Sequence, residues 1–534
     1  MHIHTKRVAS LFVLVVLAAG GRTIAISPDL RLVDAMAERD TALVRALLDE
    51  GIDANTERAD GATALLWAAH WDAVETAELL LQAGAEVNAP DDHGVTPLAR
   101  ACENASTSMV SRLLKAGANP NLAQVNGLTP LMTAAQTGNV EVVQALLSHG
   151  AEVNAATART HETALMWAVA EGRLDIARVL VNKGADVHPN PKQAFSPLMA
   201  AAKNGDIEMA KVLIAAGADV NGSGSDGSHP LPYAIVAGQS EFAHFLLKQG
   251  TDPNGRLDGG ITALHAAAGP VDSWLRAWYR NYGRPVSYGR SLGGRVSLEE
   301  RLELVNALLA KGADPNARMT ASEMANLGFI RNGAYDTFST GMGDLWGATP
   351  LWVAAWAANP GAGSASFKNR NTAPRSSDEV VRSLLAGGAR PEITPRDGTT
   401  ALMAVSGCGR DAHVTNELRA LRQPMAEAVA QLLLGAGVDV HAANEGDYTA
   451  LHCAAFSGLP ELVRLLVSNG ADINARDWRG RTPFRLAQGA KQSYHYQEWP
   501  GVAVLLQELG ADTSLGIPGT IHERLRGLAA TQEQ

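Results

Sequence analysis

A five-residue opening, Gly-x-Thr-(Pro/Ala)-Leu or a close variant, begins at Gly61, Gly94, Gly127, His161, Ala194, Gly227 and Gly260, at intervals of 33, 33, 34, 33, 33 and 33 residues. So strict a period makes each stretch one structural unit and leaves little room for a single globular core. The unit from Gly127 to Thr160, GLTPLMTAAQTGNVEVVQALLSHGAEVNAATART, shows why it folds as two short helices. Thr129 is a helix-capping residue, and Pro130 fits the first helical position, where its missing N–H costs nothing. Ala134 and Ala135 keep that helix thin, and Gly138 ends it in the left-handed conformation. In the second helix Val143, Leu146 and Leu147 recur at helical spacing, and Gly150 closes it before Ala-Glu-Val-Asn turns the chain back. Neither helix can bury its apolar face alone, so the unit needs copies of itself on either side.

The opening returns at Gly347, Gly398, Asp447 and Gly480, in its fullest form as Thr449-Ala450-Leu451-His452-Cys453-Ala454-Ala455, followed by Gly470-Ala471-Asp472-Ile473-Asn474. Over residues 28 to 516 the chain resembles the ankyrin-repeat family, whose unit is about 33 residues with a T-P-L-H-x-A-A signature. The resemblance implies an all-α solenoid of about eleven helix-turn-helix units with an N-terminal cap and long insertions in the C-terminal half. A tetratricopeptide array has a similar period but lacks the G-A-D-x-N hairpin. The expected organisation is a signal peptide at 1–25, a capping repeat at 28–60, regular repeats at 61–259, repeats with insertions at 260–516 and a C-terminal cap or tail at 517–534. In the cap the expected helices are Leu30 to Glu38 and Thr41 to Glu50, and in the tail Ile521 to Leu528.

After Gly260 the openings fall 87, 51 and 49 residues apart, which leaves about 54, 18 and 16 residues beyond one unit. The excess falls mainly between first and second helices, at about Gly269–Leu298, Asn359–Ser377 and Gly407–Pro424, with a further extension at Ala490–Pro500. One more insertion, Met319–Trp346, replaces a hairpin loop. Loops of this length inside compact repeats point to use, and added length costs little closure entropy. The first carries Trp274, Trp278, Tyr279, Tyr282 and Tyr288 beside Arg276, Arg280, Arg284, Arg290 and Arg295, opposed only by Asp272. Phe367, Lys368, Arg370 and Arg375 follow in the next, and Tyr494, Tyr496 and Trp499 in the last. Aromatic and Arg side chains together are typical of binding hot spots.

A second candidate surface lies on the repeats. The resemblance implies that variable first-helix residues and hairpin tips line a groove for protein partners, which here selects Trp67, Trp71, Arg100, Trp167, Tyr233, Trp356 and Phe456. The alternative for these rings is packing on neighbouring units. His265 and His452 occupy the family's structural His position and are expected to be buried and hydrogen-bonded.

Catalysis finds little support. Gly289-Arg290-Ser291-Leu292-Gly293 fits the nucleophile elbow, and Gly222-Ser223-Gly224-Ser225-Asp226-Gly227 fits G-x-G-x-x-G, but neither has the strand-and-helix context its chemistry requires. Metal-ligand spacings and a P-loop are absent from the sequence, so neither a metal nor a cofactor is expected.

Lys6 and Arg7 precede an apolar run from Val8 to Ala19, and Thr23-Ile24-Ala25 offers a small-residue cleavage site, which reads as an export signal. The expected protein is exported, periplasmic or secreted, monomeric and without stable membrane insertion. Removing the signal with Lys6, Arg7 and Arg22 takes the formal charge from −10 to −13, which argues against nucleic acid as a ligand. Of the three cysteines, Cys408 and Cys453 lie in adjacent units, but their offset along the helices argues against a bond, and Cys102 reads as a packing residue. The expected function is that of a non-enzymatic scaffold binding a protein partner outside the cytoplasm. Carbohydrate or cell-envelope polymer binding through the insertions is the alternative.

Overall fold

The computed structural model describes residues 29–188, 195–224, 227–269, 296–320, 346–359, 376–408, 416–492 and 495–516. The expected signal segment, the 517–534 tail and residues 270–295, 321–345, 360–375 and 409–415 of the insertions lie outside them, while the end of the expected Gly407–Pro424 insertion is already helical, in Asn416–Gly435. The chain divides into two compact units, Met1–Val125 and Asn126–Gln534. Both are built from antiparallel helix pairs, three in the first unit and nine in the second among the described residues.

In the first unit the pairs are Arg31–Ala37 with Thr41–Asp49, Ala64–His70 with Val74–Gln82, and Pro97–Glu103 with Thr107–Lys115. First helix packs on first helix and second on second, so Leu80 and Leu113 are fully buried. Each such side chain contributes about 1.5–3 kcal/mol on burial.

In the second unit the first helices form one file: Pro130–Thr137, Ala164–Ala170, Pro197–Asn204, Pro230–Val236, Ala263–Ala268, Pro350–Ala358, Ala401–Val405, Ala450–Ser457 and Pro483–Gln488. Consecutive members of this file touch, including Ala263–Ala268 with Pro350–Ala358 across the two longest insertions. The helices that follow the insertions, Leu298–Ala310, Asp378–Ala386 and Asn416–Gly435, continue the outer file. One element departs from the all-α expectation: Ala490–Gln492 and His495–Gln497 pair as a short antiparallel hairpin between the last two helices.

The local chemistry of the opening is visible at most starts, the His229 start being without a side-chain cap. Thr63, Thr96, Thr129, Thr163, Thr262, Thr349, Thr400, Thr449 and Thr482 each accept a hydrogen bond from the N–H three residues on. The opening glycine meets two demands at once. Gly61 has φ of +78°, and a Cβ there would lie 3.1 Å from the Asp91 backbone of the next repeat. The expected face of the Gly127 unit's second helix is turned slightly: Val142, Val143 and Leu146 are buried, and Leu147 is half-buried.

Two sets of side chains stitch the repeats. At the hairpins an asparagine donates to a carbonyl of the next repeat and accepts one of its N–H groups. Asn154 donates to Gly184 O at 3.1 Å and accepts from Asp186 N at 2.8 Å. Asn254 does the same with Gly312 O at 3.1 Å and Asp314 N at 2.7 Å, 60 residues away. The hairpin stitching therefore continues across the 60 residues between them. Asn254→Ala removes both bonds of an exposed pair, and urea denaturation is expected to show a loss of about 1 kcal/mol. At the opposite turn, unsatisfied carbonyls at the first-helix C-terminus are taken up by the following repeat. Asn204 Nδ2 donates to Val169 O and Ala170 O, and Asn104 Nδ2 to Ala69 O and His70 O; within the Gly260 repeat the buried Arg301 of the second helix caps its own first helix, donating to Ala266 O and Ala267 O at 3.1 Å.

Candidate partner-binding surface

In the first unit the sequence-selected rings form a cluster. Trp67 stands on helix Ala64–His70, and Trp71 is its C-terminal cap residue. Their rings stack at 6.0 Å and 27°, with His70 edge-on to Trp71 at 4.3 Å. Arg39 lies over Trp71 at 3.7 Å and Arg58 over Trp67 at 5.6 Å, so each indole face meets a guanidinium. Arg58 is held by Asp34 at 2.7 Å, and Arg100 by Glu103 at 2.6 Å. Trp71 Nε1 donates to Ala37 O at 3.2 Å, whereas the buried Trp67 Nε1 makes no hydrogen bond. Trp67 also packs on Ala62, Leu66, Val95 and Ala99, so its ring both covers the core and remains half-exposed. Burial lowers the His70 pKa, and Arg100 adds to that effect.

In the second unit Trp167 and Trp356 are half-buried. Tyr233 and Phe456 are corrections to the sequence reading, being only 2 % and 4 % exposed. Tyr233 meets Phe195 edge-to-face at 5.4 Å, and every residue of its helix Pro230–Val236 is buried. These two rings fill the core and cannot form a contact surface. Trp499 is half-buried, donates from Nε1 to Phe456 O at 2.7 Å and carries Arg419 over its ring at 4.0 Å. This repeats the Trp71–Arg39 arrangement: an indole N–H satisfies a first-helix carbonyl while an arginine covers the ring. Trp274, Arg276, Trp278, Tyr279, Arg280, Tyr282, Arg284, Phe367, Arg370 and Tyr494 lie outside the described residues, as does Ser291. Tyr496 is on the second strand of the hairpin, opposite Lys491.

Sequence reasoning passed over Arg39 and Arg58, which the turn and the hairpin loop of the preceding repeat bring against the tryptophans, and His70, the last residue of the helix that carries Trp67. It also passed over Trp346 and Trp478, which are 50 % and 46 % exposed at hairpin tips. Arg479 lies over Trp478 at 4.6 Å. The adjacent Trp-Arg pair in a tip was the available signal.

The histidines behave as structural residues. Thr262 N donates to His265 Nδ1 at 3.2 Å, so the ring's Nε2 carries the proton and donates to Ala348 O at 3.1 Å. His452 does the same with Thr449 N and with Arg481 O, each at 3.2 Å. Burial pushes the His265 pKa down to about 4 and lowers that of His452. Burial likewise pushes the Cys102 thiol up, so the position suits packing and not nucleophilic chemistry. Against expectation, Cys408 and Cys453 form a disulfide with their Cα atoms 5.0 Å apart. The offset judged from the helices vanishes because helix Ala401–Val405 ends early and the following turn brings Cys408 over the next repeat. Among the described residues no cluster of His, Cys, Asp or Glu could hold a metal, and no helix is long and apolar enough to cross a membrane.

Comparison with known proteins agrees with this geometry. The family model for ankyrin repeats (three copies) matches residues 32–124, 106–191, 188–257, 372–477 and 418–512, together more than half of the chain. Protein phosphatase 1 regulatory subunit 27 of Mus musculus is 37 % identical over 92 residues, 17 % of this chain and 55 % of that protein. The B-cell lymphoma 3 protein homolog of Mus musculus is 34 % identical over 106 residues, 20 % of this chain and 21 % of that protein. Ankyrin repeat-containing protein P1E11.10 of Schizosaccharomyces pombe is 32 % identical over 82 residues, 15 % of this chain and 35 % of that protein. The similarity thus spans between about a fifth and about half of each relative's length. With its repeated two-helix unit, its asparagine-stitched hairpins and these matches, the chain belongs to the ankyrin-repeat family, whose architecture is that of a protein-interaction scaffold.

Proposed function

We propose that the protein is a non-enzymatic scaffold that binds a protein partner outside the cytoplasm through its first-helix aromatic and basic residues. The observation that carries this reading is the half-exposed Trp67–Trp71 stack flanked by Arg39 and Arg58. Large rigid rings with charged neighbours provide contact area at low entropic cost. Matched relatives named as a phosphatase regulatory subunit and a lymphoma protein homolog are in keeping with a binding role. The extracytoplasmic placement draws support from the apolar N-terminal run and the Cys408–Cys453 bond, since disulfides persist in oxidising compartments.

The test is affinity capture from the exported fraction, followed by binding isotherms with the purified partner. Trp67→Phe keeps an aromatic ring against Val95 and Ala99, and Trp71→Ala removes the stacked ring. Together they are expected to weaken binding about 30-fold, the scale of a hot-spot loss, with an unchanged helical circular dichroism spectrum. Undiminished binding would remove this cluster from the interface. Capture of envelope polysaccharide in place of protein would favour polymer binding through the insertions.

A further inference from the structure

We infer that Asn126 is a modification site, where the folded chain deamidates by attack of the Gly127 amide on the Asn126 side chain. An Asn–Gly pair suits this chemistry because glycine has no Cβ to shield its own nitrogen. The sequence has such pairs at Asn126, Asn204, Asn221, Asn254, Asn332 and Asn469, and all but Asn332 lie among the described residues. The reaction needs a glycine nitrogen free to move onto the side-chain carbon. At four pairs that N–H is already committed: Gly205 donates to Ala202 O at 3.4 Å, Gly222 to Asp219 O at 3.0 Å, Gly255 to Asp252 O at 3.2 Å and Gly470 to Val467 O at 3.0 Å. Their asparagines are held as well. Asn204 Nδ2 donates to Val169 O and Ala170 O, Asn254 Nδ2 to Gly312 O and Asn469 Nδ2 to Leu465 O, while Asn221 Oδ1 accepts from Asp252 N.

Asn126 differs on both counts. It is exposed at a hairpin tip beside Val125, which is 81 % exposed. Among the described residues the Gly127 N–H makes no hydrogen bond, whereas the opening glycines Gly61, Gly94, Gly227, Gly260, Gly347, Gly398 and Gly480 each donate to a carbonyl. The Asn126 side chain is held only through Oδ1, which accepts from Leu128 N at 2.9 Å. That bond folds the carboxamide back along the main chain and draws electron density from its carbon, while the amide nitrogen stays free to leave. In the reaction the Gly127 nitrogen gives its proton to hydroxide and bonds to the Asn126 side-chain carbon, closing a succinimide. The side-chain nitrogen departs as ammonia, taking a proton from water. Water then opens the ring. Cleavage at the former side-chain carbon gives aspartate, and cleavage at the main-chain carbonyl gives isoaspartate. Either product adds a negative charge to the tip, and isoaspartate inserts a methylene into the backbone just ahead of the Thr129 cap.

The test is peptide mapping by mass spectrometry of the full chain aged in mildly alkaline buffer, once folded and once in urea. In the folded chain, conversion at Asn126 is expected to be at least about tenfold faster than at Asn204, Asn221, Asn254 or Asn469, because those sites react only after their hydrogen bonds open. In urea the five rates should draw together. Asn126→Ser keeps an oxygen for the Leu128 N–H and should leave the folded chain with no fast-deamidating site among these five. Equal rates at the five sites in the folded chain, a faster rate at any of the other four, or an Asn126 that reacts in urea but not when folded would each overturn the proposal. The readout needs no partner, so it stands or fails separately from the proposed function.

Discussion

Asp477→Ala is expected to lower the stability of the C-terminal repeats by about 3–5 kcal/mol, the usual consequence of leaving one member of a buried ion pair alone. Asp477 and Arg481 are fully buried and joined at 2.8 Å. Asp477 Oδ1 also accepts from Arg481 N at 2.8 Å and from Arg479 N at 3.0 Å, which shapes the hairpin tip. Arg481 reaches the preceding repeat by donating to the Tyr448 hydroxyl at 2.5 Å, and its carbonyl receives the His452 Nε2 proton. One carboxylate therefore supports a turn, a guanidinium and the junction between two repeats. Urea denaturation followed by circular dichroism, with exchange read over 447–516, measures the loss. Removing both charges together, as Asp477→Leu with Arg481→Met, is expected to cost far less, because no uncompensated charge stays behind. Equal losses in the single and double variants would show that packing, and not charge, carries this junction.

Acidification is expected to destabilise the fold between about pH 6.5 and pH 4, before most carboxylates titrate. His265 has a folded-state pKa of about 4 against an ordinary 6.5, because its buried ring is excluded from water. Its pKa is depressed, so the unfolded chain binds the proton more readily. The stabilising difference is complete above 6.5 and is lost as the pH falls through 4. A shift of that size corresponds to about 3 kcal/mol. Burial moves His452 and His229 in the same direction, and both add to the loss. The lowered carboxylate of Glu300, held by Ser240 and Ser297, gives way only at lower pH. Denaturation midpoints at pH 7.5, 5.5 and 4 check this. His265→Gln should be less stable at neutral pH and lose less on acidification. An equally steep profile in that variant would place the acid sensitivity elsewhere.

Much of this was legible in the sequence because it depends on neighbours along the chain. A threonine before a short apolar run caps a helix wherever it stands, and a proline after it fits the first turn. Thr129-Pro130 could be read from the residues alone, and so could the recurrence that makes each unit require another. The hydrogen-bonding roles of His265 and His452 followed from their place in the signature. The family groove was legible as a set of positions, from Trp67 to Phe456, but not as a set of exposed side chains.

What only the tertiary structure decided is which of those positions another part of the chain covers. Tyr233 and Phe456 have the same spacing as exposed positions elsewhere, yet neighbouring helices close over them. Cys408 and Cys453 are separated by 45 residues and meet only because a helix stops after five. Arg39 and Arg58 reach the tryptophans across a repeat boundary, and Arg481 finds Tyr448 in the repeat before it. Helical periodicity is set within a few residues, so the sequence determined where each helix begins and which stripe is apolar. Burial of a given side chain is set by what lies against it from tens of residues away, and that became determinate only once the repeats were stacked.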